Sequence, residues 1–337
     1  MANFFVAYNS LSMDPSLVIP TDKIEILSYT VRNSGVDGVV LESSLSLAEE
    51  HEYHVIPCFS STYAGCFGYQ AQACQRITGK QNGASEVALA SIGKYPESGN
   101  NDKNKGTENI MPDIDYWKVK GIKTLLMRFT ILTDNVENLL SHPWVLSIYV
   151  DKIESNKIND NQPITVDPLP VPQKSQMIAS EQIRERICSP TSVSMVVDYY
   201  SKKSSIMDMS RLTYNKQHDM YGLWPAGIWA ASRYGLLGYI YRFSLWQEVV
   251  WLLAKKIPVI ASIQYDEGEL TGAPMDKTPG HLVVIKGIGK NYVTVNDPAA
   301  PDEESVEREY DLNQFGRHWF GKKGIGYVLF CPDSERP

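Results

Sequence analysis

The first stretch of this chain able to do chemistry is a cysteine set just before a helical pattern, Cys188-Ser189-Pro190-Thr191-Ser192. Val193, Val196, Val197 and Tyr200 follow at i, i+3, i+4 and i+7, the spacing of one buried helical face. Pro190 suits the first helical position, where its missing N–H has no partner to lose. Ser189 is then the N-cap. Cys188 thus precedes a helix start, where unpaired N–H groups and the helix dipole favour an anion. Such surroundings lower a thiol pKa from about 8.5 to roughly 3.5–7.5 and make it a nucleophile. The competing reading is a buried structural thiol, so the remaining chain must supply a base.

A hairpin supplies one. Residues 281–288 and 292–296 read as two strands turning at Gly289-Lys290-Asn291. With the turn centred on Gly289, Ile285 opposes Val293, Val283 opposes Val295, and His281 opposes Asp297. Opposed residues point to one face, with Cβ atoms about 4.5–5.5 Å apart. The open end of the hairpin then presents an imidazole beside a carboxylate, as a general base and its orienting group require. Without the cysteine, the same pair reads as a polar strand end.

Cysteine, histidine and aspartate in that order resemble the papain-like cysteine peptidases. The motifs are Ser175-Gln176, Cys188-Ser189-Pro190-Thr191-Ser192, Gly280-His281-Leu282-Val283-Val284 and Asn296-Asp297-Pro298, supported by Tyr221-Gly222-Leu223-Trp224-Pro225 and residues 239–243. Together they are similar to the soluble branch related to bacteriocin (double-glycine leader) peptidases, over about residues 165–332. The resemblance implies a papain-like α+β fold and thiol hydrolysis of a peptide or isopeptide bond. It implies Cys188 as nucleophile, His281 as base and Asp297 as orienter. It also implies a glutamine beside the Cys188 N–H as the oxyanion hole, where donors bind charge that develops only in the transition state. Two glutamines fit. Gln182 lies six residues before Cys188, and Gln176 closes the pattern Pro172-Gln173-Lys174-Ser175-Gln176. Gln176 is preferred. Ser189 stands where many relatives carry glycine, and it joins Trp224 and Gly280 as candidate cleft residues. No cofactor or metal is implied, and the partner is a protein or peptide substrate. Deamidation or acyl transfer by the same thioester chemistry is the alternative reaction. A non-catalytic glycan- or protein-binding chain is the alternative class, which the Cys, His and Asp argue against.

The elements that must position these residues occupy the second half of the chain. Residues 224–235 carry proline near the start and glycine at the end of a helical pattern. Residues 244–255 open with a capping-box form, and residues 257–263 read as a strand. Helices first and an antiparallel sheet later form an α+β pattern. Residues 1–155 read instead as a β-sandwich, from β-branched and aromatic runs at 38–45, 53–58, 124–132 and 144–150. Residues 94–106 are dense in Gly, Asn, Asp and Lys and read as an exposed loop. This first domain is a candidate for binding a glycan or protein. Residues 156–174 turn polar and then proline-rich, a stiff linker, which leaves 175–337 as the peptidase domain.

Composition narrows the classes. The 337 residues are 43% hydrophobic and 21% charged, enough for ordinary cores. A net charge of −7 without a basic stripe argues against nucleic acid. No apolar run reaches the length of a membrane span. The start, Met1-Ala2-Asn3-Phe4-Phe5, has no basic n-region of a signal peptide. The expected location is cytoplasmic, or outside by a route that uses no N-terminal signal. The five cysteines are odd in number, and the even spacing of Cys58, Cys66 and Cys74 resembles no zinc pattern. His51, His54, His218, His318 and Cys331 read as structural or surface residues.

Overall fold

The computed structural model describes residues 4–9, 18–35, 37–75, 85–95, 105–152 and 164–332. Much of the exposed loop expected at 94–106, residues 96–104, lies outside them. The first half builds two six-stranded sheets. One runs β2 (Ile24–Ile26), β1 (Phe4–Tyr8), β12 (Trp144–Lys152), β5 (Glu52–Ser61), β10 (Trp117–Lys120), β9 (Ile110–Pro112). The other runs β3 (Tyr29–Asn33), β4 (Gly38–Ser46), β11 (Thr124–Thr133), β6 (Phe67–Gln75), β7 (Val87–Ala88), with β8 (Ile92–Gly93) also on β6. The four runs expected from sequence are β4, β5, β11 and β12. Strand β11 shows why they are strands: Leu125, Met127, Phe129 and Ile131 are buried while their neighbours are half-exposed, a period of two. The sheets meet through Phe59 of β5, whose ring lies 6.2 Å from Phe67 and 5.8 Å from Tyr69, both of β6. A short helix, α1 (Val136–Ser141), leads into β12.

The second half builds a third six-stranded sheet, antiparallel throughout. Its order is β13 (Leu237–Arg242), β18 (Ile325–Phe330), β14 (Val259–Tyr265), β15 (Thr278–Ile288), β16 (Tyr292–Asn296), β17 (Glu307–Asp311). The helices are α2 (Cys188–Tyr199), α3 (Ile206–Thr213), α4 (Trp224–Ser232), α5 (Trp246–Ala254) and α6 (Leu312–Trp319). Helix α2 starts earlier than the sequence suggests. Cys188 is its first residue, Ile187 takes the cap position without a side-chain cap, and Thr191 N–H bonds Ile187 O at 3.0 Å. Pro190 is therefore the third residue, still inside the turn whose N–H groups have no helical partner. Nor does α2 bury one face only. Residues 189–197 are all buried, because α3 and α4 cover the sides that β15 does not, the setting of a central helix.

The proline-rich segment is extended but not free. Val166 and Ile288 exchange N–H···O bonds at 2.8 and 2.9 Å, and Leu169 N–H bonds Lys286 O at 2.8 Å. Leu169 and Val171 are buried. Prolines between these donors leave a sparse ladder, so the segment lies along β15 without becoming a strand of the sheet.

The two halves also share a closely packed boundary. Helix α4 is buried over its whole length and packs against β13 on one side and β5 and β8 on the other. Ser60 Oγ donates to Gly238 O at 3.0 Å and accepts Gly238 N–H at 3.2 Å. Arg242 pairs with Asp151 at 2.7 Å, and Asn215 Nδ2 donates to Ser91 O at 2.9 Å. Gly93, at φ +68°, lies so close to Trp229 that a Cβ there would stand 2.3 Å from the indole. Gly93→Ala combines a left-handed backbone with this overlap, and should lower the unfolding free energy by about 1–3 kcal/mol. Urea denaturation measures it, and an unchanged midpoint would mean that the boundary is loose.

Candidate active site

Helix α2 and strand β15 bring the first two candidate residues together. Ser192 Oγ donates to Leu282 O at 3.0 Å, which ties the first turn of the helix to the strand beside His281. Cys188, at the helix start, is half-buried, and the His281 ring lies close enough to act on its thiol. His281 Nε2 lies 2.7 Å from Asp297 Oδ1, which leaves Nδ1 for the sulfur. His281 and Asp297 are themselves buried.

The hairpin reaches this arrangement by a different register from the expected one. Val284 opposes Asn296 and Ile285 opposes Val295, then a bulge at Lys286 sets Gly287 against Thr294 and Ile288 against Val293. The turn is centred between Lys290 and Asn291 rather than on Gly289, three out of the expected register, and the extra residue takes one back, so the pairing beyond it differs by two from the direct opposition drawn. Asp297 therefore stands beyond the last strand residue, as a diagonal neighbour of His281 on the same face, within reach of the imidazole.

Asp297 is held by groups that sequence reasoning missed. Tyr310 of β17 donates its hydroxyl to Oδ2 at 2.7 Å, and Ala299 N–H bonds Oδ1 at 3.0 Å. Tyr310 carries no local motif; only the β16–β17 pairing, which sets Tyr310 against Val293, delivers it. Asn296 turns away. Its Nδ2 donates to Val171 O and Pro172 O, both at 3.1 Å, and so anchors the proline-rich segment.

Electrostatics follow from this burial. Desolvation opposes the Cys188 thiolate, but the His281 hydrogen bond and charge, with the N–H groups of Leu282 and Ser189, outweigh it and hold the thiol below its ordinary value. Desolvation likewise opposes the imidazolium, and the charge and hydrogen bond of Asp297 overcome it, so His281 is raised. For Asp297 burial acts upward, and His281, Tyr310 and Ala299 bring the carboxyl below the usual range. The arrangement can hold a thiolate–imidazolium pair over a buried carboxylate.

The other candidates separate. Gln176 is buried, its Nε2 donates to Arg184 O at 2.6 Å, and its Oε1 is buried without a partner. Gln182 is exposed. A cleft of about 370 Å³ opens beside Cys188 and is lined by Trp224 and Gly280 as expected, with Arg186, Tyr221 and Gly222 among others. Ser189, also expected at the cleft, is fully buried instead, with its Oγ 3.3 Å from the Tyr327 hydroxyl. It occupies the helix position that points inward, because the helix starts at Cys188. Trp229 is core, and its ring packs on Phe67 of the first half. Among the described residues no cluster of His, Cys, Asp and Glu fits a metal ion, and no helix is long and apolar enough to cross a membrane. Cys58 is buried, which pushes its thiol up to about 12.

Comparison with known proteins adds a family. Residues 168–326 match the model of the Peptidase_C39 like family. Two solved structures are similar to part of the chain. One is a double glycine motif protease from an AMS/PCAT transporter, in complex with its leader peptide: 23% identical, covering 50% of this chain and 98% of that one, TM-score 0.34. The other is a C39-like peptidase from Bacillus anthracis: 15% identical, covering 50% of this chain and 98% of that one, TM-score 0.40. No curated protein matches the chain. The family match spans residues 168–326, a little under half of the chain.

Proposed function

We propose that the chain is a cysteine peptidase that hydrolyses a peptide or isopeptide bond through a thioester on Cys188. The observation that carries this reading is the His281 ring, set between the Cys188 thiol and the Asp297 carboxylate. Cys188 attacks the substrate carbonyl as a thiolate. The imidazolium of His281 gives its proton to the leaving amine, and the neutral ring then activates water to release the acyl group. Asp297 fixes the ring and its tautomer. The Cys188 N–H is one oxyanion donor, since the first helical N–H groups have no partner in the helix. Gln176 is favoured over Gln182 as the second, because it is buried while Gln182 lies in solvent. Its amide carries two N–H bonds, of which Arg184 O takes one. In this reading residues 1–155 form a β-sandwich domain, 156–174 a linker and 175–337 the peptidase domain, and the substrate is a protein or peptide.

A cleavage profile on a peptide library identifies a substrate, and kcat/KM on it then ranks four proteins. Wild type should lead, followed by Asp297→Asn, Asp297→Ala, and an inert Cys188→Ala. The amide of Asp297→Asn keeps an oxygen for the His281 N–H. Loss of the orienting group should cost less than the roughly 10²–10⁴-fold that general acid–base catalysis contributes. Turnover by a clean Cys188→Ala sample would sink the mechanism, and full activity in Asp297→Ala would remove the aspartate from it.

The pH dependence of alkylation tests the pair directly. A thiol held below its ordinary value is already ionised at lower pH, so iodoacetamide should label Cys188 with an inflection below the ordinary thiol value of about 8.5. His281→Ala removes the positive neighbour and leaves the burial, so its inflection should rise above that value. Coincident profiles for the two proteins would show that Cys188 and His281 are not coupled.

A further inference from the structure

The cleft beside Cys188 is not built by the peptidase-like half alone. Asp115, from the turn between β9 and β10 of the first half, lines it. That turn is closed by Asp113 N–H on Tyr116 O at 2.8 Å. It is clamped to the start of α4 by two contacts. Asp115 Oδ1 accepts Trp224 N–H at 3.1 Å, and the Tyr116 ring stacks on Trp224 at 6.0 Å and 10°. Lys323 completes the clamp, with Nζ 5.5 Å from both ring centroids.

Charge in the cleft is unevenly matched. Arg186 is paired with Asp219 at 3.0 Å. Among the described residues Asp115 makes no such ion pair, and Lys323 lies over the aromatic faces. Burial, the largest effect, pushes the Asp115 carboxyl up to about 7, although Trp224 N–H and Lys323 act the other way and Asp113 adds to the rise. Lys323 acts on this carboxylate from over the aromatic faces without an ion pair to it, Lys322 lines the same cleft, and the cleft is the side from which a further cation can reach Asp115.

We infer that Asp115 is a specificity-determining residue, whose carboxylate reads a basic side chain, lysine or arginine, close to the bond being cut. The inference rests on the cysteine peptidase reading and adds a substrate class to it. It also gives the first half a part in recognition, through a turn that lies outside the family match.

The test uses the full chain and N-acetyl tripeptidyl acyloxymethyl ketones that react with a catalytic thiol. At each of the three positions in turn the probe carries lysine or Nε-acetyl-lysine, which differ in charge at nearly equal size. Rates of Cys188 modification are read by mass spectrometry. A hydrogen bond between charged groups contributes about 1.5–3 kcal/mol, so at one position lysine should react about tenfold faster or more. The ratio should fall to about one in Asp115→Asn, which keeps an oxygen for Trp224 N–H, and should persist in Asp115→Glu, which keeps the charge. Equal rates for lysine and acetyl-lysine at all positions in wild type would overturn the inference without reference to any variant. An undiminished ratio in folded Asp115→Asn would also overturn it. Both results leave the peptidase reading standing, since the uncharged probes still label Cys188. Failure of every peptidyl probe at a Cys188 that iodoacetamide alkylates would overturn that reading, and this inference with it.

Discussion

An imidazole and a carboxylate 2.7 Å apart, almost sealed from water, set the terms for the second half of the molecule. Removing charge from water costs several kcal/mol per ion, by order of magnitude, unless each lone pair and proton finds a partner. Asp297 therefore needs its three donors: His281, Ala299 N–H and the Tyr310 hydroxyl. Each fixes a different part of the chain. Tyr310 requires β17 to pair with β16, and Ala299 requires a tight turn after the strand. That turn is held in its own right, by Asp297 N–H on Val306 O at 2.8 Å and Ala300 N–H on Asp297 O at 3.2 Å.

The same turn reaches the segment carrying Gln176. Ser175 Oγ donates to Ala300 O at 2.5 Å, and Gln176 N–H bonds Pro298 O at 2.8 Å. The candidate oxyanion glutamine and the buried carboxylate thus share one backbone cradle. From there the proline-rich segment continues along β15, anchored by Asn296. On the other side of the site, α2 is fixed by its burial and by Ser192 on Leu282. Cys188, His281, Asp297 and Gln176 are all carried by elements bonded to one another. In the proposed mechanism, placing reacting groups in advance in this way is the entropic part of catalysis.

Sequence reading reached this site unevenly, for reasons that can be stated. The nearness of Cys188 to a helix start and of His281 to the open end of a hairpin was legible because both are local patterns. Strands β4 and β11 were legible because burial on one face leaves a period of two, and β5 and β12, buried on both faces for most of their length, as β-branched and aromatic runs. The hairpin register was not, because the turn is centred between Lys290 and Asn291 rather than on Gly289, and the bulge at Lys286, which has no residue signature, moves the pairing once more. Cys188 as the first helical residue was hidden by Pro190, which is tolerated anywhere in the first turn. Tyr310 and Asp115 were invisible for a deeper reason. Each acts across a distance in sequence that only sheet pairing or packing between the halves closes. The boundary itself was hidden by the proline-rich segment, whose composition resembles a free linker although residues 166–172 lie docked on β15.

That boundary has a physical consequence for the first half. Helix α4 is apolar on all sides, with Ile228 and Trp229 buried and alanines at 226, 230 and 231. A helix of this kind needs cover on every face. The third sheet covers part of it, and β5 and β8 cover part of the rest. Gly93 marks how closely the two halves approach there. The start of this helix, at Trp224, is also a wall of the cleft. The first half therefore does two things with one contact: it covers an apolar helix of the peptidase-like unit, and it fixes the position of the Trp224 ring beside Cys188. A sheet that only bound a distant ligand would need neither the stacked Tyr116 nor the buried Ser60–Gly238 bonds. Their presence ties the geometry of the cleft to the packing of β5, β8 and the turn before β10.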